Sequence, residues 1–258
     1  MYRSLISLMP KTVDDAQAFI IAAGITDPTQ QSAIITLVAN LKGYSIWTKF
    51  KAIYPIVGGT ASSHKFNLKD PRDLDAAFRL TFATGVTHSA NGMVGNGTTG
   101  YANTFVKPVI DLSLNSTHYG FYSRTNTNTT TIEMGVDQFT NLVEIRTAGV
   151  TYHRVNGGGL VQHNDANSLG FYTANRTAVN VLNAWKNGVK LATSTGASST
   201  PSASTIFLLA LNSGVGVGQF YSTKQCAFAS IGDGLTDTEA ANFYTAVQAF
   251  QTSLSRQV

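Results

Sequence analysis

A single cysteine, Cys226, in a chain of 258 residues rules out an intrachain disulfide and any thiolate metal cluster. It reads as a small buried filler within an apolar segment. Charge is sparse as well. Only 12% of residues are Asp, Glu, Lys or Arg, and the glutamates are just Glu133, Glu144 and Glu239. The formal charge of +4 and the pI near 9.1 therefore reflect few acids rather than many bases. The densest basic groups are Lys49 with Lys51, and Lys65 and Lys69 with Arg72. A phosphate-tracking surface needs more than that, so nucleic acid is not an expected partner. Long apolar runs are missing too: Ile206–Leu211 has strand length, far short of a bilayer span, and no membrane insertion is expected. The apolar opening Met1–Pro10 halts at its proline with no small-x-small cleavage site after it, so it is not read as a signal peptide. No Gly-x-Ser-x-Gly elbow and no glycine-rich phosphate loop with its lysine occurs.

What the chain does contain is enough apolar material for a large core, 43% of residues at a mean hydropathy of +0.02, which excludes disorder as its main state. Three segments near the N-terminus have helical signatures. Thr12-Val13-Asp14-Asp15 caps an alanine-rich stretch that stops at Gly24. Asp27-Pro28 opens a second helix, with Ile34, Ile35, Leu37, Val38 and Leu41 at helical spacing up to Gly43. A third, short helix carries Ile46, Trp47, Phe50, Ile53 and Tyr54 and stops at Pro55. Helices this short bury no core alone, so their apolar faces must dock on the main domain, on a neighbouring chain, or on both.

From Gly58 onward Thr, Ser, Asn, Gly and aromatics dominate, in short alternating segments split by turn signals, the pattern of an antiparallel all-β domain. Strands are expected at Ala77–Phe82, Thr131–Val136 and Leu142–Arg146, with Ile206–Leu211 as a doubly buried central strand. Asn156-Gly157 and Asn187-Gly188 predict hairpins joining 150–155 with 160–163 and 183–186 with 189–192. The stretches 92–100 and 193–205 read as exposed loops. Thr236-Asp237-Thr238-Glu239 is a capping box, followed by Phe243, Val247, Phe250 and Leu254 along one stripe of a closing helix. The expected organisation is a helical attachment or oligomerisation region at 1–57, a linker loop at 58–74, and a β domain with its C-terminal helix at 75–258.

Several of these segments resemble the laminin-G-like, concanavalin A-like jelly rolls. Val181-Leu182-Asn183-Ala184-Trp185-Lys186-Asn187-Gly188-Val189-Lys190 is similar to that family's strand, turn and returning strand. Phe207–Leu211 with Asn212-Ser213-Gly214, and then Phe228-Ala229-Ser230-Ile231-Gly232-Asp233-Gly234 leading into the capped helix, resemble its late strands; Asn96-Gly97-Thr98-Thr99-Gly100-Tyr101-Ala102 resembles an early one. The resemblance covers about residues 75–245 and implies a mainly β, antiparallel sandwich. A second resemblance links Tyr54-Pro55-Ile56-Val57-Gly58-Gly59-Thr60-Ala61, His64 and Asn67-Leu68-Lys69-Asp70-Pro71 to a module preceding such jelly rolls in tailed-bacteriophage virion proteins. It implies a non-enzymatic virion structural protein, made in the host cytoplasm without a signal peptide. Such a protein would contact other virion proteins and display a lectin-like domain, for adhesion to host-surface glycans or surface decoration; the alternatives are a carbohydrate-active enzyme on the same fold and a purely structural virion component with no ligand.

Jelly-roll hydrolases carry a Glu-x-Asp-x-x-Glu strand that this chain lacks, and Glu239 is already a helix cap. Glu133 and Glu144, with Arg146 near both, read as alternating charges on the solvent face of a hairpin rather than as an acid and base pair. His64, His88, His118, His153 and His163 are isolated, although His153 and His163 lie on the two arms of one hairpin. No cofactor is implied apart from calcium, which the resembled sandwiches often hold at a loop rim; Asn164, Asp165 and Asp233 are the candidate ligands. Sugar binding, which stacks an aromatic face on a pyranose and bonds its hydroxyls through amides, points to Tyr101, Asn103, Tyr122, Arg124, Tyr172 and Asn175. Homo-oligomer or virion contacts are expected through Ile34, Leu41, Trp47 and Phe50.

Overall fold

Local capping sets the first two helices, α1 (Asp15–Ala22) and α2 (Pro28–Gly43). Asp27 accepts a hydrogen bond from the Gln30 N–H at 2.8 Å, Pro28 takes the first helical position, and Gly24 follows α1 at φ +63°. The computed structural model describes residues 14–137 and 140–258; Thr12, Val13 and the Met1–Pro10 segment lie outside them. The third segment is not the helix its apolar residues suggest. Only Trp47–Lys49 makes a helical turn, and Phe50–Tyr54 is a strand, β1, because its aromatic and β-branched side chains pair against the last strand of the chain.

The elements that follow are α3 (Ala61–His64), β2 (Thr81–Phe82), β3 (Val86–Ser89), β4 (Gly92–Gly95), β5 (Ala102–Asn103), α4 (Pro108–Asp111), β6 (Thr117–Ser123), β7 (Met134–Val136), β8 (Asn141–Thr147), β9 (Val150–Arg154), β10 (Leu160–Asn164), β11 (Gly170–Ala178), β12 (Val181–Lys186), β13 (Val189–Ser194), β14 (Phe207–Leu208), β15 (Leu211–Asn212), β16 (Gly218–Gln219), β17 (Cys226–Gly232) and α5 (Asp237–Ser253). They build two sheets. One runs β13-β12-β11-β6-β17-β4-β3, with β1 also paired to β17; the other runs β10-β9-β8-β7-β14-β5-β2, with β15 and β16 beside β7. Among the described residues every pairing is antiparallel except that of β15 with β7.

Both asparagine–glycine turns form the expected hairpins. Asn187 and Gly188 have φ of +50° and +74°, the mirror-image turn that matches the twist of β12 and β13. Other segments depart from expectation. Ala77–Phe82 gives only the two-residue β2, since Phe78 turns into the left-handed region at φ +58°. Part of 92–100 is β4 rather than loop, because Met93 enters the core opposite Cys226. Ile206–Leu211 is buried throughout but breaks at Leu209, φ +65°, into β14 and β15.

The layers are asymmetric. Helices α1, α2 and α5 cover the outer face of the first sheet, where Phe19, Ile34, Leu37, Phe171, Phe228 and Phe243 form one core. A second core, including Tyr119, Phe121, Val143, Tyr172, Leu208 and Ile231, fills the space between the sheets. The outer face of the second sheet carries a small apolar cluster of Ile132, Leu142 and Leu211, with Tyr152 packed against them, and no helix packs on it among the described residues. The terms covered sheet and open sheet follow from this difference. The stretch 58–74 is not a slack linker: buried Asn67 accepts from the Ile53 N–H and donates to the Lys51 and Ala77 carbonyls.

Candidate binding face

Because side chains alternate along a strand, inward Val143, Ile145, Thr151, His153 and Val161 leave Glu144, Tyr152 and Gln162 pointing outward from the open sheet. The register sets these three in one row, Glu144 opposite Tyr152 and Tyr152 opposite Gln162. Directly opposed side chains of this kind sit about 5 Å apart. A half-exposed phenol is thus flanked by a carboxylate and an amide on adjacent strands. Farther along the same face Tyr101 stacks on Phe207, ring centroids 4.1 Å apart and 12° from parallel, with Asn103 paired to Phe207.

The sugar-binding candidates named from sequence do not converge. Tyr101 and Asn103 share the open face. Tyr122 is buried beneath α5, its hydroxyl donating to Gln248 and accepting from the Val258 N–H. Arg124 donates to the Arg256 carbonyl and to Gln225 Oε1. Tyr172 lies between the sheets, donating to Asp165 Oδ2 at 2.6 Å, and buried Asn175 bonds both the N–H and the carbonyl of Leu235. Tyr122, Tyr172 and Asn175 therefore offer no surface to a ligand. Both sides of the covered sheet are closed, Tyr122 and Asn175 lying beneath α5 and the segment before it and Tyr172 facing the second sheet. Of the row on the open face, Glu144 is the expected solvent-face charge; Tyr152 and Gln162 are not among the sequence candidates, although the Asn156-Gly157 hairpin makes 152 and 162 neighbours.

The proposed calcium ligands are scattered. Asn164 ends β10 in solvent, and Asp165 is buried. Burial pushes the Asp165 carboxyl up, but Lys186 Nζ at 2.6 Å, the Tyr172 hydroxyl and Thr151 together hold it below the usual carboxylate range. Asp233 sits beside His118, which pairs with Asn175 near the other end of β11. Among the described residues no group of three or more His, Cys, Asp or Glu is placed to hold a metal ion.

Two histidine pairs form instead. His153 and His163 stack at 5.7 Å between centroids, and none of their four ring nitrogens has a hydrogen-bond partner. Burial, then His163, pushes His153 down to about 3. His64 and His88 meet Nδ1 to Nδ1 at 2.9 Å, and burial pushes His64 to about 3.

Glu133 is not a solvent-face charge. It is fully buried, 3.0 Å from the equally buried Lys224 ammonium, and it also accepts from Thr131, Ser222 and the Ile145 N–H. Desolvation raises its carboxyl against the pull of Lys224. Glu133 lies in the core away from the surface, bound on both carboxylate oxygens. Glu239 caps α5 and pairs with Lys49 at 2.5 Å, and the Arg146 guanidinium bonds the Asp165 carbonyl and Asn126. Cys226 is fully buried, which pushes its thiol up.

Ile34, Leu41 and Phe50, expected at an intermolecular contact, are at most 3% exposed within this chain's own helical core. Their apolar faces dock on α5 and the covered sheet, so they are closed to a neighbour. Trp47 stays half-exposed, with Lys69 Nζ 3.7 Å above its ring. No helix among the described residues is long and apolar enough to cross a membrane.

No protein-family model matches the chain, and no curated protein matches its sequence. Solved structures do. The botulinum neurotoxin serotype D binding domain superposes with a TM-score of 0.51 at 9% identity, over 78% of this chain and 52% of that one. The structure described as HCR/D-Sa-GBL1/C gives 0.51 at 11% identity, over 78% and 53%. The fold is a concanavalin A-like sandwich. The chain spans about half the length of these structures. At such identities the likeness extends to the lectin-type architecture, two stacked antiparallel sheets, and not to individual residues.

Proposed function

We propose that this concanavalin A-like chain is a non-catalytic glycan-binding protein displayed on a tailed-bacteriophage particle. The observation that carries the reading is the Glu144–Tyr152–Gln162 row, on the sheet face that the helices leave open. A phenol ring offers a platform for the apolar side of a sugar ring, and the flanking carboxylate and amide supply acceptors and donors for its hydroxyls. The other two glutamates are bound into the fold, Glu133 in the core and Glu239 at the cap of α5, so neither joins Glu144 as an acid and base pair, and the row is read as binding without cleaving. Display on a particle is supported by the Tyr54–Ala61 segment and its likeness to virion modules. Repetition on the particle would strengthen weak single contacts.

The test is a glycan array probed with multimerised protein. Wild type is expected to retain a defined set of glycans, and Tyr152→Ala to lose them with an unchanged unfolding midpoint. A blank array, or identical binding by Tyr152→Ala, overturns the binding reading. Sugar release from a polysaccharide panel, abolished in Glu144→Gln, would overturn the non-catalytic one. Mass spectrometry of purified particles tests the display: the chain must co-purify with capsid and tail proteins.

A further inference from the structure

The open face holds two aromatic platforms rather than one. Tyr152 is on β9, and Tyr101, seated on Phe207, precedes β5. Between them the sheet order is β9-β8-β7-β14-β5, four strand spacings. At about 4.8 Å per spacing the platforms are roughly 19 Å apart. Register brings them to the same level along the strands: Glu144 pairs with Tyr152, and continuing the ladders Leu142–Gly135, Gly135–Phe207 and Phe207–Asn103 by one step of the pleat ends at Tyr101. Each platform has its own hydrogen-bonding side chains, Glu144 and Gln162 at one end, Asn103 and Thr81 at the other. The floor between them is closed by Ile132, Leu142 and Leu211, all at most 4% exposed, so the two ends are separate contact points and not one trough.

Resting on the glycan-binding reading, we infer that the ligand is a linear polysaccharide that bridges both platforms, one stretch of sugar on Tyr152 and another on Tyr101. A mono- or disaccharide cannot reach from one to the other, but each end can take one separately. Once one stretch is held, the second binds at the high effective concentration that its tether imposes, which raises affinity without new contacts. Leu142, Gly135 and Phe207 form an uncharged row between the two ends, and Arg154, paired with Leu142, adds a cation beside the Tyr152 end.

Titration calorimetry with fragments of one linear polysaccharide, chosen as the strongest array hit, tests this. Disaccharide is expected to bind weakly with two per chain, and a fragment longer than the span to bind with one per chain and about 10²-fold more tightly or better. Tyr101→Ala and Tyr152→Ala should each reduce disaccharide stoichiometry to one and remove the length-dependent gain. Circular dichroism and unfolding midpoints check that both variants fold; Tyr101→Phe, which keeps the ring, should retain the gain. Equal affinity for short and long fragments, or one disaccharide per chain in wild type, overturns bridging while the glycan-binding reading stands. Failure of every fragment and polymer to bind overturns both.

Discussion

Buried imidazoles should make this protein acid-labile, with a slope that can be worked out in advance. His153 and His64 are pushed to about 3 and His118 to about 4, each chiefly by burial. Their folded-state values lie below the ordinary histidine value of about 6.5. The unfolded chain therefore takes up protons that the folded chain refuses. Their contribution to stability is intact above pH 6.5 and falls as the pH drops toward 4. Near pH 5 each ring costs about 1.4 kcal/mol per pH unit, so the three together cost about 4. Glu133, raised by burial, works in the opposite direction. The clean measurement is therefore the difference between wild type and His153→Phe, in which that contribution cancels. Phenylalanine keeps an aromatic ring beside His163 and removes two unpartnered nitrogens, at a packing cost of about 1–3 kcal/mol that does not vary with pH. Urea unfolding at pH 7, 6 and 5, followed by Trp47 and Trp185 fluorescence, should show the variant gaining about 2 kcal/mol on wild type between pH 7 and 5. Parallel pH profiles for the two proteins would refute the reasoning.

Other perturbations are equally direct. Lys224→Met strands the Glu133 carboxylate in the core and should cost about 3–5 kcal/mol in urea unfolding, while Glu133→Gln with Lys224→Met together should recover part of it. Arg176, fully buried, donates to the carbonyls of Val155, Gly157, Ala178, Val179 and Gly196; Arg176→Leu should speed amide hydrogen exchange across 155–159 and 194–199 before the rest of the chain. Gly188→Ala adds a Cβ at φ +74°, 2.7 Å from the Tyr244 ring, and should lower stability by about 1–2 kcal/mol or more in thermal unfolding.

What could be read from the residues was whatever depends on neighbours in sequence. Asp27-Pro28, the Thr236 and Glu239 capping box and the two asparagine–glycine turns are local devices, and each forms as expected. Phe50–Tyr54 was misread because a short apolar run fits helix and strand alike; only its partner, β17, more than 170 residues later, decides. The buried Glu133–Lys224 pair was illegible for the same reason, since nothing local distinguishes it from surface charges. On the candidate face, residue type is enough to pick out Tyr101 and Asn103, whereas Tyr122, Tyr172 and Asn175 belong to the covered sheet, both sides of which are closed by packing that nothing local in sequence reveals. A register drawn outward from Asn156-Gly157 puts Tyr152 and Gln162 side by side.

The N-terminal helices, expected to attach the protein to something else, instead determine which of its surfaces is free. By packing Ile34 and Leu41 against the covered sheet together with Phe243 of α5 they remove that face from solvent, and Arg256 locks the arrangement by donating to the Pro55, Ile56 and Ala227 carbonyls from the far end of the chain. Burial without a carboxylate pushes the Arg256 guanidinium down to about 9, a cost tolerated because all its donors find acceptors. A sandwich closed on one side has a single broad sheet face left to present. On the open sheet that face holds Tyr152 and Tyr101 at opposite ends, so any ligand that uses both must be long, and one that uses either alone will be held weakly.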